Sequence, residues 1–271
     1  MKDIALVYMV AGLSSRFGGR IKQFAKVGPQ EETLIEVSLN QAIPTGFTKI
    51  IFIVGEKTET PFKEKFGDSY NGIPVYYAVQ NYDSKIRKKP WGTTDSLCSA
   101  KELINCPFVV CNGDDLYGKE SFEILVQHLK GKTTDATIGY KLGEVLPEEG
   151  EVNRGIFKIK QKTNIINYLK EEFKISKANL LLRNLSRDDL CSMNIFALYP
   201  KTLELLNKIL IEFKEKHKNN PEIECLLPEE INRLITAGKI TMEIYPTNGK
   251  WMGITNPGDE IMVKESLKNK Y

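Results

Sequence analysis

The chain has 271 residues, of which 41% are hydrophobic and 27% charged, a balance typical of a folded globular protein. Its 38 basic residues nearly match its 35 acidic residues, and a net charge of +3 is too small to indicate binding to nucleic acid. No apolar stretch is long enough to span a membrane and no signal-peptide pattern precedes Ile4, so we expect neither a nucleic-acid nor a membrane partner.

The cysteines and histidines limit the chemistry. Five cysteines are odd in number and lack CxxC spacing, which disfavours a disulfide framework or a zinc site and favours buried free thiols in the cytoplasm. The two histidines, His128 and His217, fall in segments predicted to be charged helices, and we expect both at the surface. A Ser–His or Cys–His catalytic pair is therefore not expected.

The first part of the chain alternates strands and helices. Ile4–Val10 is an apolar run that predicts a strand buried on both faces. A capping box at Thr33–Glu36 predicts a helix that ends near Pro44, and Lys49–Val54 and Ile73–Gln80 predict two more strands. This order is typical of a doubly wound parallel sheet.

A long polar connection follows at Asn81–Trp91, and such segments are usually functional or mobile. After it we predict a helix from about Asp95 to Ile104, a strand at Phe108–Cys111, a helix at Lys119–Leu129 and a strand at Asp135–Lys141. The alternation of strand and helix continues to this point.

The second half has a different pattern. Gly155–Lys160 and Ile165–Leu169 alternate as half-exposed antiparallel strands do. We predict one strand over Leu190–Leu198, and the run Lys214–Lys218 indicates the solvated end of a helix. A helix at Asn256–Lys268 ends the chain.

The fold class predicted from these elements is α/β: a three-layer α/β/α sandwich around a mostly parallel, Rossmann-like mixed sheet. We predict a single domain over residues 1–271. Its nucleotide-binding half covers residues 1–140 and its second half covers residues 141–271.

The loop after the first strand is rich in small residues. Gly12, Ser14 and Ser15 let backbone N–H groups approach an anion closely, and Arg16 and Lys22 add positive charge. Because parallel strands bind ligands at their carboxyl ends, this loop is either a triphosphate site or a plain glycine-rich turn with solvated cations. It matches neither the Walker A pattern nor GxGxxG.

Two further strand ends carry polar residues. Asp114 and Asp115 follow a predicted strand, where they form either a site for a hard cation such as Mg²⁺ or an Asx turn. Gln80 ends another strand, and its amide can donate and accept together, as the edge of a pyrimidine requires. Gly92 lets the backbone approach a base, or is a turn glycine before the helix capped at Thr93 or the next residue.

In this order the motifs resemble those of the sugar-phosphate nucleotidylyltransferases, which include glucose 1-phosphate uridylyl- and thymidylyltransferases and phosphocholine cytidylyltransferases. The family's A-G-x-G-[ST]-R signature and lysine correspond to 11–16 and Lys22, and its base-reading pair to Gln80 and Gly92. Its G-D metal motif corresponds to 113–114, and a late tryptophan motif begins at Trp251.

The resemblance implies transfer of NMP from an NTP, with a pyrimidine indicated by Gln80, to a sugar 1-phosphate, with Mg²⁺ as cofactor. It implies catalytic roles for Arg16, Lys22 and Asp114, metal binding by Asp114 and Asp115, and acceptor binding by Gly155, Glu171 and Asn194. The implied nucleotide-binding residues are Ala11, Gly12, Leu13, Ser14, Ser15, Gln80, Gly92 and Thr93. The partners would be an NTP and a phosphorylated small molecule, and the oligomeric state stays open.

Two positions depart from the family pattern: Ser14 replaces a usual glycine, and Gly253 stands where many members carry a metal-binding aspartate. One alternative is a cytidylyltransferase for a non-sugar phosphate such as phosphocholine. Its quaternary ammonium cage would use the aromatic side chains of Tyr140, Phe157 and Tyr168. The other alternative is a nucleotide-binding regulatory protein that has lost catalysis, which Gly253 supports.

Overall fold

The centre of the fold is a parallel block of four strands. A computed structural model describes residues 2–12, 17–254 and 257–268. Strand β1 (Ala5–Met9) pairs in parallel with β2 (Lys49–Val54) on one side and β5 (Phe108–Asn112) on the other. Strand β4 (Ile73–Val79) continues the parallel block beyond β2, and the short β3 (Ser69–Tyr70) closes that edge in antiparallel orientation. The first strands lie where their apolar runs predict them.

The second half of the chain extends this sheet. Strand β11 (Ile195–Leu198) lies antiparallel between β5 and β7 (Asp135–Lys141), and β12 (Met242–Pro246) runs parallel to β7. The short β10 (Leu190–Cys191) connects β7 to a hairpin. The hairpin strands are β8 (Val152–Ile159) and β9 (Ile166–Ile175). The sheet is therefore mixed: the four-strand parallel block comes from the first half of the chain, and β12 adds one more parallel pairing, with β7.

Helices cover both faces of the sheet. Along β1, Leu6 and Tyr8 belong to one apolar cluster, whereas Ala5 and Val7 belong to another on the opposite face. The first cluster takes its helical side chains from α1 (Leu34–Ala42), α2 (Glu59–Phe66) and α4 (Lys119–Gly131). The second takes them from α3 (Thr93–Ser99), α6 (Pro200–Lys216) and α7 (Leu227–Thr236). The alternation of side chains along a strand thus produces the predicted three layers.

A small two-stranded unit lies beside the carboxyl end of the main sheet. Strand β6 (Asp115–Leu116) pairs antiparallel with β13 (Met252–Gly253), and helix α8 (Asp259–Lys268) follows. Leu116 and Met252 share a third apolar cluster with residues of α1 and α8. This unit holds the start of β6 against the late tryptophan segment. The one remaining helix of the described ranges is the short α5 (Leu142–Val145).

Several element boundaries differ from the sequence prediction; β9, for example, ends at Ile175 and not at Leu169. For two of the differences a local cause is visible. The strand predicted over 190–198 is divided into β10 and β11 because Asn194 has a left-handed backbone with φ of 58°. The helix predicted to reach Ile104 ends at Ser99, whose hydroxyl donates to the Ser96 carbonyl, and a 3-10 turn at 101–103 follows. A local feature accounts for each of these two boundaries: the backbone conformation at Asn194 and the side-chain hydrogen bond of Ser99.

The expectation for His128 is wrong. Its ring is buried, with Nδ1 3.0 Å from the Tyr245 hydroxyl and Nε2 2.6 Å from the Thr134 carbonyl.

The free thiols follow the prediction more closely, since four of the five cysteines are buried. Within the described ranges no helix is both long and apolar enough to cross a membrane.

Glu243 on β12 accepts hydrogen bonds from two neighbouring segments, the one between α4 and β7 and the turn of the hairpin. Its carboxylate accepts hydrogen bonds from Lys132 after α4, from Thr134 at 2.8 Å and from Asn164 in the hairpin turn at 2.8 Å. Burial alone would raise the pKa of Glu243, but these donors outweigh burial and lower it to about 2. Glu243 therefore stabilises the fold as a carboxylate. This stabilisation is present above the carboxyl's ordinary pKa and is lost as pH falls through the folded value.

We expect Glu243→Gln to lower the free energy of unfolding by about 1–3 kcal/mol at neutral pH, because the amide loses charge-assisted hydrogen bonds. The difference from wild type should shrink as pH falls from 5 to 2. Urea unfolding at a series of pH values measures it, with the exposed Glu64→Gln on α2 as the control. A difference that does not change with pH would contradict the assigned role of the carboxylate.

Candidate active site

The carboxyl ends of β1, β4 and β5 open into a cavity of about 420 Å³, here called the loop cavity. It lies where open α/β sheets bind ligands. Seven residues for which the sequence predicts a catalytic, nucleotide-binding or metal-binding role line it: Ala11, Gly12, Lys22, Gln80, Gly92, Thr93 and Asp114. The fold thus brings the ends of three separate strands to one place.

Four predicted residues of the first loop, Leu13, Ser14, Ser15 and Arg16, lie outside the described residues. On the described side of the loop, the backbone N–H groups of Ala11 and Gly12 donate to no other described residue. Both residues line the loop cavity. Two backbone donors are therefore available to a ligand there.

Lys22 and Asp114 meet at the mouth of the loop cavity. The Lys22 ammonium forms an ion pair with Asp114 Oδ2, and their side chains are 20% and 22% exposed. Lys22 belongs to a 3-10 turn at Lys22–Phe24, and Asp114 follows the end of β5. A cation and a carboxylate that remain partly accessible can exchange this contact for contacts to a charged ligand.

Asp115 is almost fully buried. Its Oδ2 accepts from Asn112 Nδ2 at 2.9 Å and from the Tyr117 hydroxyl at 3.1 Å. Burial, and then repulsion by Asp114, raise the pKa of Asp115 to about 7. The surroundings of this carboxyl therefore disfavour its charged form relative to an exposed aspartate.

Gly253 faces Asp115 directly across the β6–β13 pair. A Cβ atom at position 253 would collide with Asp115 Oδ1 and lie 2.6 Å from Trp251 Cζ2. The space beside residue 253 is therefore filled by the carboxylate of Asp115. The departure from the family pattern at 253 is a steric requirement of this arrangement.

Asp114 and Asp115 fit a hard divalent cation. No group of three or more acidic, histidine or cysteine side chains that could hold a metal occurs within the described ranges. Two carboxylates suffice for Mg²⁺, however, because that ion usually keeps waters and phosphate oxygens as its other ligands. The donors present are oxygen atoms, which Mg²⁺ prefers.

Gln80 differs from the sequence expectation. Its Nε2 donates to the Gly92 carbonyl at 3.1 Å and to Asp95 Oδ2 at 2.8 Å, so both amide hydrogens are used within the protein. Asp95 in turn forms an ion pair with Lys214 of α6, with 2.5 Å between Nζ and Oδ1. Gln80 can therefore only accept from a ligand, and Lys214 is not part of a purely solvated helix end.

Gly92 is constrained from two sides. Its φ is 99°, and a Cβ atom there would lie 2.6 Å from the Cys225 carbonyl oxygen. A side chain at this position would be strained and would push away the 221–226 segment. The next residue, Thr93, accepts the Leu227 N–H at 2.8 Å, which joins α3 to the start of α7.

The long connection at 81–91 packs against the segment that precedes α7. The Arg87 guanidinium is 4% exposed and donates to the carbonyls of Lys89, Asn220 and Ile223. Its central carbon lies 3.4 Å from the centre of the Trp91 ring. This packing places Lys89 at the edge of the loop cavity.

A second cavity of about 400 Å³, here called the hairpin cavity, adjoins the first. Its walls come from β8, β9, the start of α7 and Trp251. The predicted acceptor-binding residues Gly155, Glu171 and Asn194 all line it. Four residues line both cavities: Thr93, Asn112, Asp114 and Asn194. The two cavities are therefore continuous around Asp114.

The hairpin cavity is acidic. Besides Asp114 and Asp115 it contains Glu171 and Glu229, whereas Arg154 is the one cationic side chain among its described lining residues. Burial first, and then repulsion by Glu229, raise the pKa of Glu171. Neither glutamate carboxylate makes a hydrogen bond or ion pair within the described part of the chain. Both are available to a ligand.

The aromatic side chains suggested by sequence for an ammonium cage do not line this cavity. Tyr140 and Phe157 are buried in the two apolar clusters, and Tyr168 is not part of the lining. The aromatic lining comes from Phe173 and Trp251.

Sequence reasoning missed Phe173, as well as Asp95, Lys214 and Glu229. The sequence did contain a signal for Asp95, because this acidic residue falls in the first turn of a predicted helix, close to Gly92.

Known proteins resemble this chain in sequence pattern and in fold. The family described as "Nucleotidyl transferase" matches residues 18–268. No curated protein matches the sequence significantly.

Among solved structures, a UTP-bound UGPase from Acinetobacter baumannii is similar over 100% of this chain and 95% of its own, with 17% identity and a TM-score of 0.68. A UDP-glucose pyrophosphorylase complexed with UDP-glucose covers 100% of both chains, with 16% identity and a TM-score of 0.70. The inositol-1-phosphate CTP transferase from T. maritima has 13% identity and a TM-score of 0.67, over 98% of this chain and 96% of its own. At these identities the structural likeness establishes the fold.

Proposed function

Because the chain belongs to the nucleotidyl transferase family, we propose that it transfers NMP from an NTP to a sugar 1-phosphate, releasing pyrophosphate and forming an NDP-sugar. The observation that carries the proposal is the meeting of two cavities at Asp114, with Lys22 beside it. One cavity would hold the nucleotide and the other the phosphorylated acceptor. Similar solved structures are described as a UDP-glucose pyrophosphorylase complexed with UDP-glucose and as an inositol-1-phosphate CTP transferase.

In the proposed reaction, an oxygen of the acceptor phosphate attacks the α-phosphorus of the NTP. The bond between that phosphorus and the bridging oxygen to the β-phosphate breaks, and pyrophosphate leaves with the electron pair. No protein nucleophile is required. The chain's task is to align the two phosphates and to neutralise their charge.

Lys22 would supply positive charge next to the triphosphate, together with Arg16 and the N–H groups of Ala11 and Gly12. Gln80 and Gly92 would contact the base, and Asn194, which lines both cavities, would lie where nucleotide and acceptor meet. Glu171 would accept hydrogen bonds from acceptor hydroxyl groups, with Gly155 beside it. Apart from Arg16, which lies outside the described residues, each assignment is supported by the residue's place in the lining of one or both cavities.

Mg²⁺ is the proposed cofactor, and Asp114 and Asp115 are its proposed ligands. When bound, the ion would neutralise phosphate charge and polarise the phosphorus–oxygen bonds. The cytoplasm is the proposed compartment, which the free thiols support.

A pyrophosphate-release assay tests the function. Purified protein with Mg²⁺ is given each common NTP against a panel of sugar 1-phosphates, phosphocholine and phosphoethanolamine. We expect release with at least one sugar 1-phosphate and formation of the matching NDP-sugar by mass spectrometry. The absence of release with every acceptor, while nucleotide still binds, would instead support a regulatory protein without catalysis.

A second candidate is transfer to an amine-bearing phosphate such as phosphocholine. The acidity of the hairpin cavity favours it, since the carboxylates of Glu171 and Glu229 form no ion pair within the described ranges and Phe173 adds an aromatic face. Release only with amine-bearing acceptors would replace the sugar assignment. Glu229→Gln, which removes one charge but keeps the shape, should then weaken binding of phosphocholine and leave binding of NTP unchanged.

A further inference from the structure

We infer that Asp95 and Lys214 are positioning residues that fix the amide of Gln80 and thereby select a nucleotide whose base carries an N–H donor on its ring. Uracil, thymine and guanine have such a donor, whereas cytosine and adenine present a bare ring nitrogen at the equivalent position. The inference rests on the proposed function, in which Gln80 contacts the base.

The argument begins with the hydrogens of the Gln80 amide. A glutamine side chain has two N–H donors and one carbonyl acceptor. Gly92 O and Asp95 Oδ2 take both donors, at 3.1 and 2.8 Å. The remaining group is Oε1, and within the described residues no donor is bonded to it. Because Gln80 lines the loop cavity, this oxygen is the group it offers to a ligand.

The opposite orientation of the amide is unfavourable. A flip about the terminal bond would set Oε1 against two acceptors, the Gly92 carbonyl and the Asp95 carboxylate. Electron-rich oxygens would then face each other inside the protein, where water cannot screen them. The hydrogen-bond network therefore determines which atom of Gln80 faces the cavity.

Lys214 holds the Asp95 side chain in place for this network. Asp95 is 6% exposed, and buried charged groups in proteins are usually paired with an opposite charge. Lys214 reaches it from α6, with 2.5 Å between Nζ and Oδ1. The carboxylate oxygens of this ion pair accept hydrogen bonds and donate none, which fixes the direction of the amide.

The consequence for the ligand is a single acceptor facing the base edge. A base with a ring N–H can donate to Gln80 Oε1, whereas cytosine or adenine would place a ring-nitrogen lone pair against it. Two pairs of nucleotides test the ring nitrogen while the ring size stays the same. UTP is compared with CTP, and GTP with ATP. An unsatisfied buried acceptor costs roughly tenfold or more in affinity.

Calorimetry on the wild-type protein is the first test, with no acceptor present. We expect UTP to bind at least about tenfold more tightly than CTP, GTP more tightly than ATP, and N3-methyl-UTP to lose most of the affinity of UTP. Equal or tighter binding of CTP would overturn the inference, as would unchanged binding of N3-methyl-UTP. Pyrophosphate release is measured separately, so that a failed inference and a failed function give different results.

Variants supply the second test. Asp95→Asn offers an amide that can donate to Gln80 and so allows the flip, and we expect the UTP-to-CTP preference to fall roughly tenfold. Lys214→Met should reduce it in the same direction. The matched controls are Asp135→Asn, a buried carboxylate at the opposite end of the sheet, and Lys132→Met, a lysine from a remote ion pair. Both control variants should prefer UTP over CTP by the same factor as the wild-type protein.

A fall in affinity for all nucleotides with an unchanged preference would make Asp95 merely structural and overturn the inference. If Asp95→Asn does not fold, the wild-type analogue series still decides between the two outcomes. A wild-type protein that binds no nucleotide would overturn this inference together with the proposed function.

Discussion

Replacing Lys22 by methionine should lower the turnover number for pyrophosphate release roughly 10²–10³-fold, the loss typical of removing one electrostatic stabiliser. Lys22 lies at the mouth of the loop cavity in an ion pair with Asp114, so its charge is next to the position proposed for the triphosphate. Methionine keeps the length of the side chain and removes the charge. Steady-state kinetics at saturating NTP and acceptor measure the loss.

The matched control is Lys26→Met. Lys26 is exposed, four residues along the chain, and lies 3.9 Å from an oxygen of Glu31. It should keep wild-type turnover and melting temperature. If Lys22→Met also keeps near wild-type turnover, the charge of Lys22 has no role in the reaction. The equivalent change at Arg16, which lies outside the described residues, is expected to cost a similar factor.

Introducing at position 253 the aspartate that many relatives carry should harm this protein. We expect Gly253→Asp to lower the free energy of unfolding by about 2–4 kcal/mol, because the new side chain collides with Asp115 and places a second carboxyl beside a buried one. The pKa of Asp115 is already raised to about 7 by burial and by Asp114. Urea unfolding measures the change.

Two further variants separate collision from a general effect of aspartate. Gly131→Asp, at an exposed helix end with open space around it, should cost less than about 1 kcal/mol. The exchange Asp115→Gly with Gly253→Asp moves the carboxylate across the β6–β13 pair and should recover at least about half of the loss, a non-additive result. Additive losses would mean that the two positions do not compete for one space.

The exchange also bears on the metal. If one carboxylate can serve from either strand, the double variant should bind Mg²⁺ in calorimetry more tightly than Asp115→Gly alone. Equal and negligible binding by both would limit the proposed site to Asp114. This result is independent of turnover, so it distinguishes loss of metal binding from loss of catalysis.

The local pattern of the sequence predicted the parts of the fold that depend on short-range rules. An apolar run such as 49–54 can be buried only between neighbouring strands, so β2 lies within the range predicted. The residues that follow such strands meet at one edge by the geometry of a parallel sheet. For that reason the lining of the loop cavity by Gln80 and Asp114 agrees with the sequence prediction. The division into one domain with two halves stays a prediction.

Predictions failed where a distant partner decides the outcome. His128 has the sequence context of an exposed helix residue, yet it is buried because the packing of α4 brings its ring to the Tyr245 hydroxyl. Tyr140 and Phe157 are aromatic residues near predicted site positions, but the strands carry them into the core. Which face of an element becomes buried depends on what packs against it.

By itself, the sequence determined the layered α/β architecture, the family resemblance and the strand ends that form the site. Only the tertiary structure decided how the site's atoms are oriented. Lys214 is 119 positions from Asp95 along the chain, and no pattern connects them. The packing of α6 against α3 brings them together. Strand formation follows from each segment's own side chains, whereas the direction of the Gln80 amide follows from contacts that exist only after the chain has folded.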